Sequence, residues 1–321
     1  MIIHKPVLLK ESIENLNLKE GSVVVDATLG GGGHSNEILQ KIGKSGKLIV
    51  IDQDSQAVEN FSKQLPVGID NVITVKDNFA NLENILAKLN PSVGGEKVDA
   101  ILADLGYSSI QLEDAEIGMS FLQDAPLDMR LDRDGELTAK QIVNEYSQGE
   151  ISRVIKDYGE ERFASIIAKK IADRRKIKLI ETTGELVEII RSAVPERHQH
   201  RQNSCLPAGR HPATKTFQAL RIETNKELEV LKNFVPQAID ALNPGGRLAI
   251  ISFHSLEDRI VKNIYRENAR GCICPTDFPV CRCGEKARVK IISKKPIIPS
   301  QEEILDNPRS RSAKLRIIEK I

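Results

Sequence analysis

The chain has 321 residues, 40% of them hydrophobic and 28% charged, with 46 Lys and Arg set against 45 Asp and Glu. That length suggests about two domains, and the composition excludes a disordered chain; the balanced charge neither requires nor forbids a nucleic-acid partner. No apolar run reaches the roughly 18 residues that span a bilayer, and Met1–Lys10 lacks the charged-then-apolar layout of a signal peptide, so the expectation is a cytoplasmic protein with no membrane partner.

In chain order, Ser22–Asp26, Lys47–Asp52, Val72–Lys76 and Val98–Asp104 read as strands. Ser35–Lys41 and Ser55–Leu65 between them have helical periodicity. Short apolar strands separated by helices indicate a parallel sheet covered on both faces. From about Leu112 to Pro212 the strand signal vanishes, and Thr138–Tyr146, Gln148–Lys156, Glu160–Arg175 and Thr183–Val194 read as helices. Ser147 and Thr182 or Thr183 are candidate N-caps. Strand signals return at Arg247–Phe253, Arg288–Ser293 and Lys314–Glu319. The expected architecture is one α/β domain, 1–112 with 213–321, interrupted by a helical domain, 113–212. Two consecutive domains would leave the last three strands as a poor isolated sheet.

Four strands carry polar residues at their carboxyl ends, where open α/β sheets bind ligands. After the first comes Asp26, then Gly30-Gly31-Gly32-Gly33-His34. Glycines there let backbone approach a ligand closely, or simply make a tight turn. The dinucleotide pattern G-x-G-x-x-G fits only partly, because Ser35 takes its last position. The second strand ends in Asp52, suited to accept two ribose hydroxyls. The third is followed by Asp77-Asn78-Phe79, a polar reader of an adenine amine and a ring to pack on it. The fourth ends in Asp104-Leu-Gly-Tyr-Ser-Ser109. A dinucleotide would not need that last polar loop, so the set favours S-adenosylmethionine over NAD.

Two further features stand apart. Residues 162–215 hold twelve Lys and Arg but five Asp and Glu, a strongly basic stretch that a merely solvated face would also explain. Of five cysteines, Cys205 is isolated and four form Cys272-x-Cys274-x6-Cys281-x-Cys283. The odd count argues against a disulfide framework. A tetrahedral zinc site is one reading, although C-x-C is tighter than the usual spacing and Pro275 and Pro279 stiffen the loop. Reduced thiols packing a hairpin-like excursion are the other.

The motifs His4–Leu9, Gly31–Ser35, Ile51–Asp54, Asp104–Ser109, Pro126–Arg130, Tyr158–Phe163, His211–Ile222, Ser252–Arg259 and Asn307–Ser312 occur in order along nearly the whole chain. Together they resemble the ribosomal RNA small subunit methyltransferase H family. The resemblance implies a class I methyltransferase fold, a mostly parallel seven-stranded sheet with an inserted helical substrate domain. It implies S-adenosylmethionine held by Gly32, Gly33, His34, Asp52, Phe79, Asp104 and Gln111. It also implies methylation of the exocyclic N4 of a decoding-centre cytidine in 16S rRNA of the small ribosomal subunit. Two departures are Tyr107, where a small aliphatic residue is expected, and an apparent insertion at Arg201–Arg210.

Within that reading Asp104, helped by Ser108 or Ser109, orients N4; the alternative is that Asp104 binds cofactor alone and the serines cap a helix. His254, after the fifth buried strand at the carboxyl edge of the sheet, is either a structural histidine or a substrate contact, and His211 is a weaker candidate of the same kind. Asp128 and Arg130 are expected to form a local ion pair. The target base must be flipped or unpaired, and its phosphates need cations. Lys169, Lys170, Arg174, Arg175, Lys215 and Arg221 are the candidates, with Arg309, Arg311 and Lys314 second. The expected partner is RNA rather than DNA, and the expected state a monomer or weak homodimer. The rival readings are a methyltransferase acting on another RNA and a non-catalytic RNA-binding module.

Overall fold

A computed structural model describes residues 5–66, 68–93, 97–107, 117–195, 211–272, 274 and 283–321. They fall into two compact units, Met1–Gly106 with Leu228–Ile321, and Tyr107–Glu227. Ser108, Ser109, Gln111, Cys205, Cys281 and the stretch Arg201–Arg210 lie outside the described residues.

The first unit is built on β1 (Val23–Asp26), β2 (Lys47–Asp52), β3 (Val72–Lys76), β4 (Val98–Asp104), β5 (Leu242–Ser252), β6 (Val289–Ile291) and β7 (Lys314–Lys320). These form one seven-stranded sheet in the order β3-β2-β1-β4-β5-β7-β6. β1 to β5 are parallel, and β7 runs antiparallel to both β5 and β6. The mostly parallel sheet expected from the sequence is therefore present.

Strand residues alternate between faces, so each apolar run supplies two cores. Val24, Leu48, Val50, Ala100 and Leu102 face one core, with Ile38 and Ile42 of α2 (Gly33–Ile42) and Phe61 of α3 (Ser55–Gln64). Val25, Ile49, Ile51, Ile101 and Ala103 face the other. There they meet Leu82 and Leu86 of α4 (Leu82–Val93). α1 (Leu9–Asn15) precedes β1 and adds Ile13 to the first core.

The second unit contains α5 (Ala139–Glu145), α6 (Gln148–Gly159), α7 (Ala164–Arg175), α8 (Thr183–Ala193) and α9 (Thr214–Asn225). Thr138 with Gln141, Ser147 with Glu150, and Thr182 with Glu185 close reciprocal capping boxes at α5, α6 and α8. α7 starts later than the sequence suggests because Glu160 takes the left-handed conformation, φ 47°. The core gathers Ile151 and Ile155 of α6, Ile167 and Ile171 of α7, Ile190 of α8 and Phe217 of α9.

This unit extends past the expected boundary at Pro212 because α9 packs on α6. Gly159 permits the contact: a Cβ there would lie 2.6 Å from the carbonyl oxygen of Lys215. Asp128 and Arg130 form the expected ion pair, with both carboxylate oxygens accepting from the guanidinium at 2.8 Å. Arg130 also donates to the carbonyls of Arg133 and Gly135, which pins that loop. The chain returns to the sheet through α10 (Glu227–Ala241), and α11 (Ser255–Ala269) and α12 (Gln301–Asp306) follow.

Candidate active site

The carboxyl ends of β1, β2 and β4 converge on the turn from Ala27 to Gly33. Leu29 N–H donates to Ile51 O at 3.1 Å and Ala27 N–H to Leu102 O at 2.8 Å, so the turn is tied to both flanking strands. Gly32 is left-handed, φ 76°, and a Cβ there would meet the Phe61 ring at 2.6 Å. At Gly33 a Cβ would meet Pro6 at 2.8 Å. Gly32 and Gly33 are thus required by packing inside the protein, beside any close approach of a ligand. His34 is buried on α2, with Nε2 3.1 Å from Val7 O.

Asp52 accepts from Gly30 N–H on Oδ2 and from Asp54 N–H on Oδ1, both at 2.9 Å. Burial raises its pKa against those hydrogen bonds. Each oxygen keeps a second lone pair for a hydroxyl donor. Phe79 opens a short 3-10 turn capped by Asn78 and meets Phe234 edge-on at 4.9 Å. Asp77 is occupied locally, accepting from Asn78 N–H and Asn81 Nδ2, both at 2.7 Å.

Asp104 differs from these. Its N–H donates to Thr28 Oγ1 at 2.6 Å and its Oδ2 lies 3.8 Å from His34 Nδ1. Its Oδ1 is buried and has no hydrogen-bond partner among the described residues. Burial, then Asp26, then Glu257 push its pKa well up. Asp26 is equally deep: burial raises its pKa to about 7 although Ser35 Oγ donates to it at 2.6 Å. Three carboxyls therefore share one low-dielectric region, a feature of functional sites.

Glu257 was not among the site residues expected from sequence, and Asp26 was read there only as the acid that precedes the glycines. The signal for Glu257 was available in the Ser252–Arg259 motif. Glu257 accepts from Phe253 N–H at 2.8 Å and His254 N–H at 3.2 Å. His254 caps α11: its Nδ1 accepts from Glu257 N–H at 3.4 Å, and its Nε2 lies 3.2 Å from Glu257 Oε1. Both ring nitrogens thus face Glu257, which gives this histidine a structural duty.

In the helical unit, Lys169 and Lys170 are exposed on α7, and Arg174 is half-buried. Arg175 donates to Val143 O at 2.9 Å. Lys215 is exposed, with Nζ 2.8 Å from Glu160 O. Arg221 is not presented to solvent as expected from sequence. Its guanidinium makes a double contact with Glu227 at 2.7 and 2.8 Å and stacks over Tyr107 at 4.7 Å, with its side chain 13% exposed. His211 stacks on Phe121 at 4.6 Å, and burial with Arg191 nearby lowers its pKa. No helix among the described residues is long and apolar enough to cross a membrane.

The family model of the MraW methylase family matches residues 1–321. The chain is similar to proteins named ribosomal RNA small subunit methyltransferase H. That of Clostridium botulinum (strain Kyoto / Type A2) is 51% identical over 318 residues, 99% of either chain. That of Heliobacterium modesticaldum is 50% identical and that of Clostridioides difficile (strain 630) 49%, each again over 99% of this chain and over 98% and 99% of theirs.

Proposed function

The chain belongs to the MraW methylase family and is a methyltransferase, and on that premise we propose that it methylates the exocyclic N4 of a decoding-centre cytidine in 16S rRNA of the small ribosomal subunit. The donor is S-adenosylmethionine, which supplies an electrophilic methyl group on a cationic sulfonium. The residues fit it. Asp52 offers its remaining lone pairs to ribose hydroxyls, and Phe79 offers a ring beside the adenine. The buried carboxyls at Asp26 and Asp104 favour a cation. Gln111, Ser108 and Ser109 belong to the same proposal from sequence alone.

The observation that carries the reading is the buried Oδ1 of Asp104, which has no hydrogen-bond partner among the described residues. A buried acceptor left unsatisfied costs about 1–3 kcal/mol, and such a cost is sustained where a ligand completes the hydrogen bond. Cytosine N4 is a weak nucleophile because its lone pair is delocalised into the ring. By accepting one amino hydrogen, Asp104 would turn the remaining lone pair out of conjugation and offset the positive charge that grows on nitrogen. Transfer then needs alignment more than a strong base. The exposed Lys169 and Lys170 would hold RNA phosphates, with Arg174 and Lys215 as further contacts. Such a substrate places the enzyme in the cytoplasm.

The test is mass mapping of nucleosides after incubating small subunits that lack the modification with the protein and labelled S-adenosylmethionine. Label is expected on N4 of one decoding-centre cytidine, falling at least about 100-fold with Asp104→Ala, as for loss of a donor or acceptor at a reacting atom. Label on a ring carbon, on another nucleotide, or unaffected by the substitution would refute the assignment.

A further inference from the structure

α11 begins at the carboxyl edge of the sheet and runs back to the opposite edge, away from Asp26 and Asp104. The chain then makes an excursion before entering β6. Its base is closed by Arg288, whose N–H donates to Asn268 O at 2.8 Å and whose Nη1 donates to Asn268 Oδ1 at 3.2 Å. Arg288 also pairs with Asp240, just before β5. Among the described residues from 270 to 288 none is buried. No buried apolar side chain among these described residues ties the outgoing arm to the returning one, and chain arms without such packing are commonly held by a cross-link or a metal.

The thiols of Cys272, Cys274 and Cys283 meet there, with all three sulfurs within 4.8 Å of one another. Two come from the outgoing arm and one from the returning arm. The Cys272 and Cys283 sulfurs are 3.7 Å apart. Zinc–sulfur bonds of about 2.3 Å in a tetrahedron set the sulfurs about 3.8 Å apart. That spacing is far longer than a disulfide bond of about 2.05 Å. Cys274 N–H points at Cys272 Sγ from 3.4 Å, and an amide hydrogen directed at sulfur favours the thiolate that a metal binds.

We propose that Cys272, Cys274 and Cys283 hold a structural zinc ion as thiolates, clipping the two arms of the excursion together. Binding displaces the thiol protons to solvent and changes no oxidation state. The clip fixes where the chain enters β6, the strand that covers the outer edge of β7. It lies at the opposite sheet edge from the carboxyl cluster, so its role is architectural. This inference does not depend on the choice of nucleotide. Cys281 lies outside the described residues.

The test uses the full chain purified under reducing, metal-free buffers. Mass spectrometry of the metal content is expected to give about one zinc per chain. Cobalt exchanged into the protein is expected to show the sulfur-to-cobalt charge-transfer band and the strong visible bands of a tetrahedral thiolate site. Cys272→Ser and Cys283→Ser are expected to lose the metal while Cys205→Ser keeps it, and S-adenosylmethionine affinity by calorimetry is expected to stay unchanged in all three. Should the serine variants fail to fold, chelation and readdition on the unmutated chain, followed by proteolysis within 270–288, gives the same answer. A reduced chain that takes up neither zinc nor cobalt, or a Cys272–Cys283 disulfide in protein alkylated directly from cells, would overturn the proposal.

Discussion

Asp26 and Asp104 sit where β1 and β4 end, and each is held away from water by the strands that align it. For Asp26 this raises the pKa from 3.8 to about 7. The unfolded chain ionises at the lower value, so between the two the folded state binds the extra proton. Stability from this group is complete below about 3.8, declines as pH rises, and is lost once pH passes about 7. Asp26→Asn keeps the shape and can satisfy both Thr28 N–H and Ser35. It is expected to match the parent near pH 4 and to become more stable by a few kcal/mol above pH 7, gaining about 1.4 kcal/mol for each pH unit between the two values. Denaturant midpoints across that range would show the divergence, and parallel curves would deny it. On the proposed donor site the same substitution would remove a negative charge beside the sulfonium, so weaker S-adenosylmethionine binding is the expected functional cost. Much of this site was legible, because strand ends in a parallel sheet announce themselves by an apolar run closing on an acid. The sharing of one dry region by Asp26, Asp104 and Glu257 was not, since Glu257 arrives from a helix more than 150 positions further along the chain.

Among the elements, β2, β3 and β4 match their sequence bounds because continuous β-branched runs between helices leave few alternatives. Capping boxes at Ser147 and Thr182 were readable from a hydroxyl followed three residues later by Glu. α9, α10 and α11 carried weaker signals. α9 buries Thr216 and Thr224 beside Phe217 and Leu220, which blurs its apolar stripe, and no side chain caps its start. α10 contains Pro236. α11 is capped by a histidine, outside the residues that normally mark a helix start, so its first turn carried no cap signal in the sequence. Ser147→Ala tests the capping argument. It removes the acceptor for Glu150 N–H and is expected to cost about 1 kcal/mol in the denaturation midpoint. Cofactor affinity is expected to hold, because the loss falls in the helical unit; a change in affinity without a change in stability would contradict this.

At the scale of the whole molecule, the chain leaves one sheet after β4 and rejoins it as the adjacent parallel strand β5, with the helical unit strung between. This was foreseeable, since the late strands have no sheet unless they join the early one. The place of rejoining was harder to read, because α9 looks like ordinary sheet-covering helix until its packing on α6 is seen. Under the proposed function the two units have separate duties: the sheet unit supplies the acids and the glycine turn, and the helical unit supplies cations for RNA. Several of those cations are already engaged, Lys176 with Asp173 at 3.1 Å, Lys178 with Glu185 at 2.7 Å, and Arg221 with Glu227. Lys169 and Lys170 are exposed on one helix and carry the RNA argument further than the net charge of the segment does. Lys169→Glu with Lys170→Glu is expected to raise KM for small subunits about tenfold or more, with kcat and S-adenosylmethionine affinity unchanged. It should also flatten the salt dependence by about one unit of log–log slope for each lost phosphate contact. A charge pair that merely solvates α7 would leave both KM and that slope where they were. A fall in kcat at saturating RNA would instead assign these lysines to positioning the base.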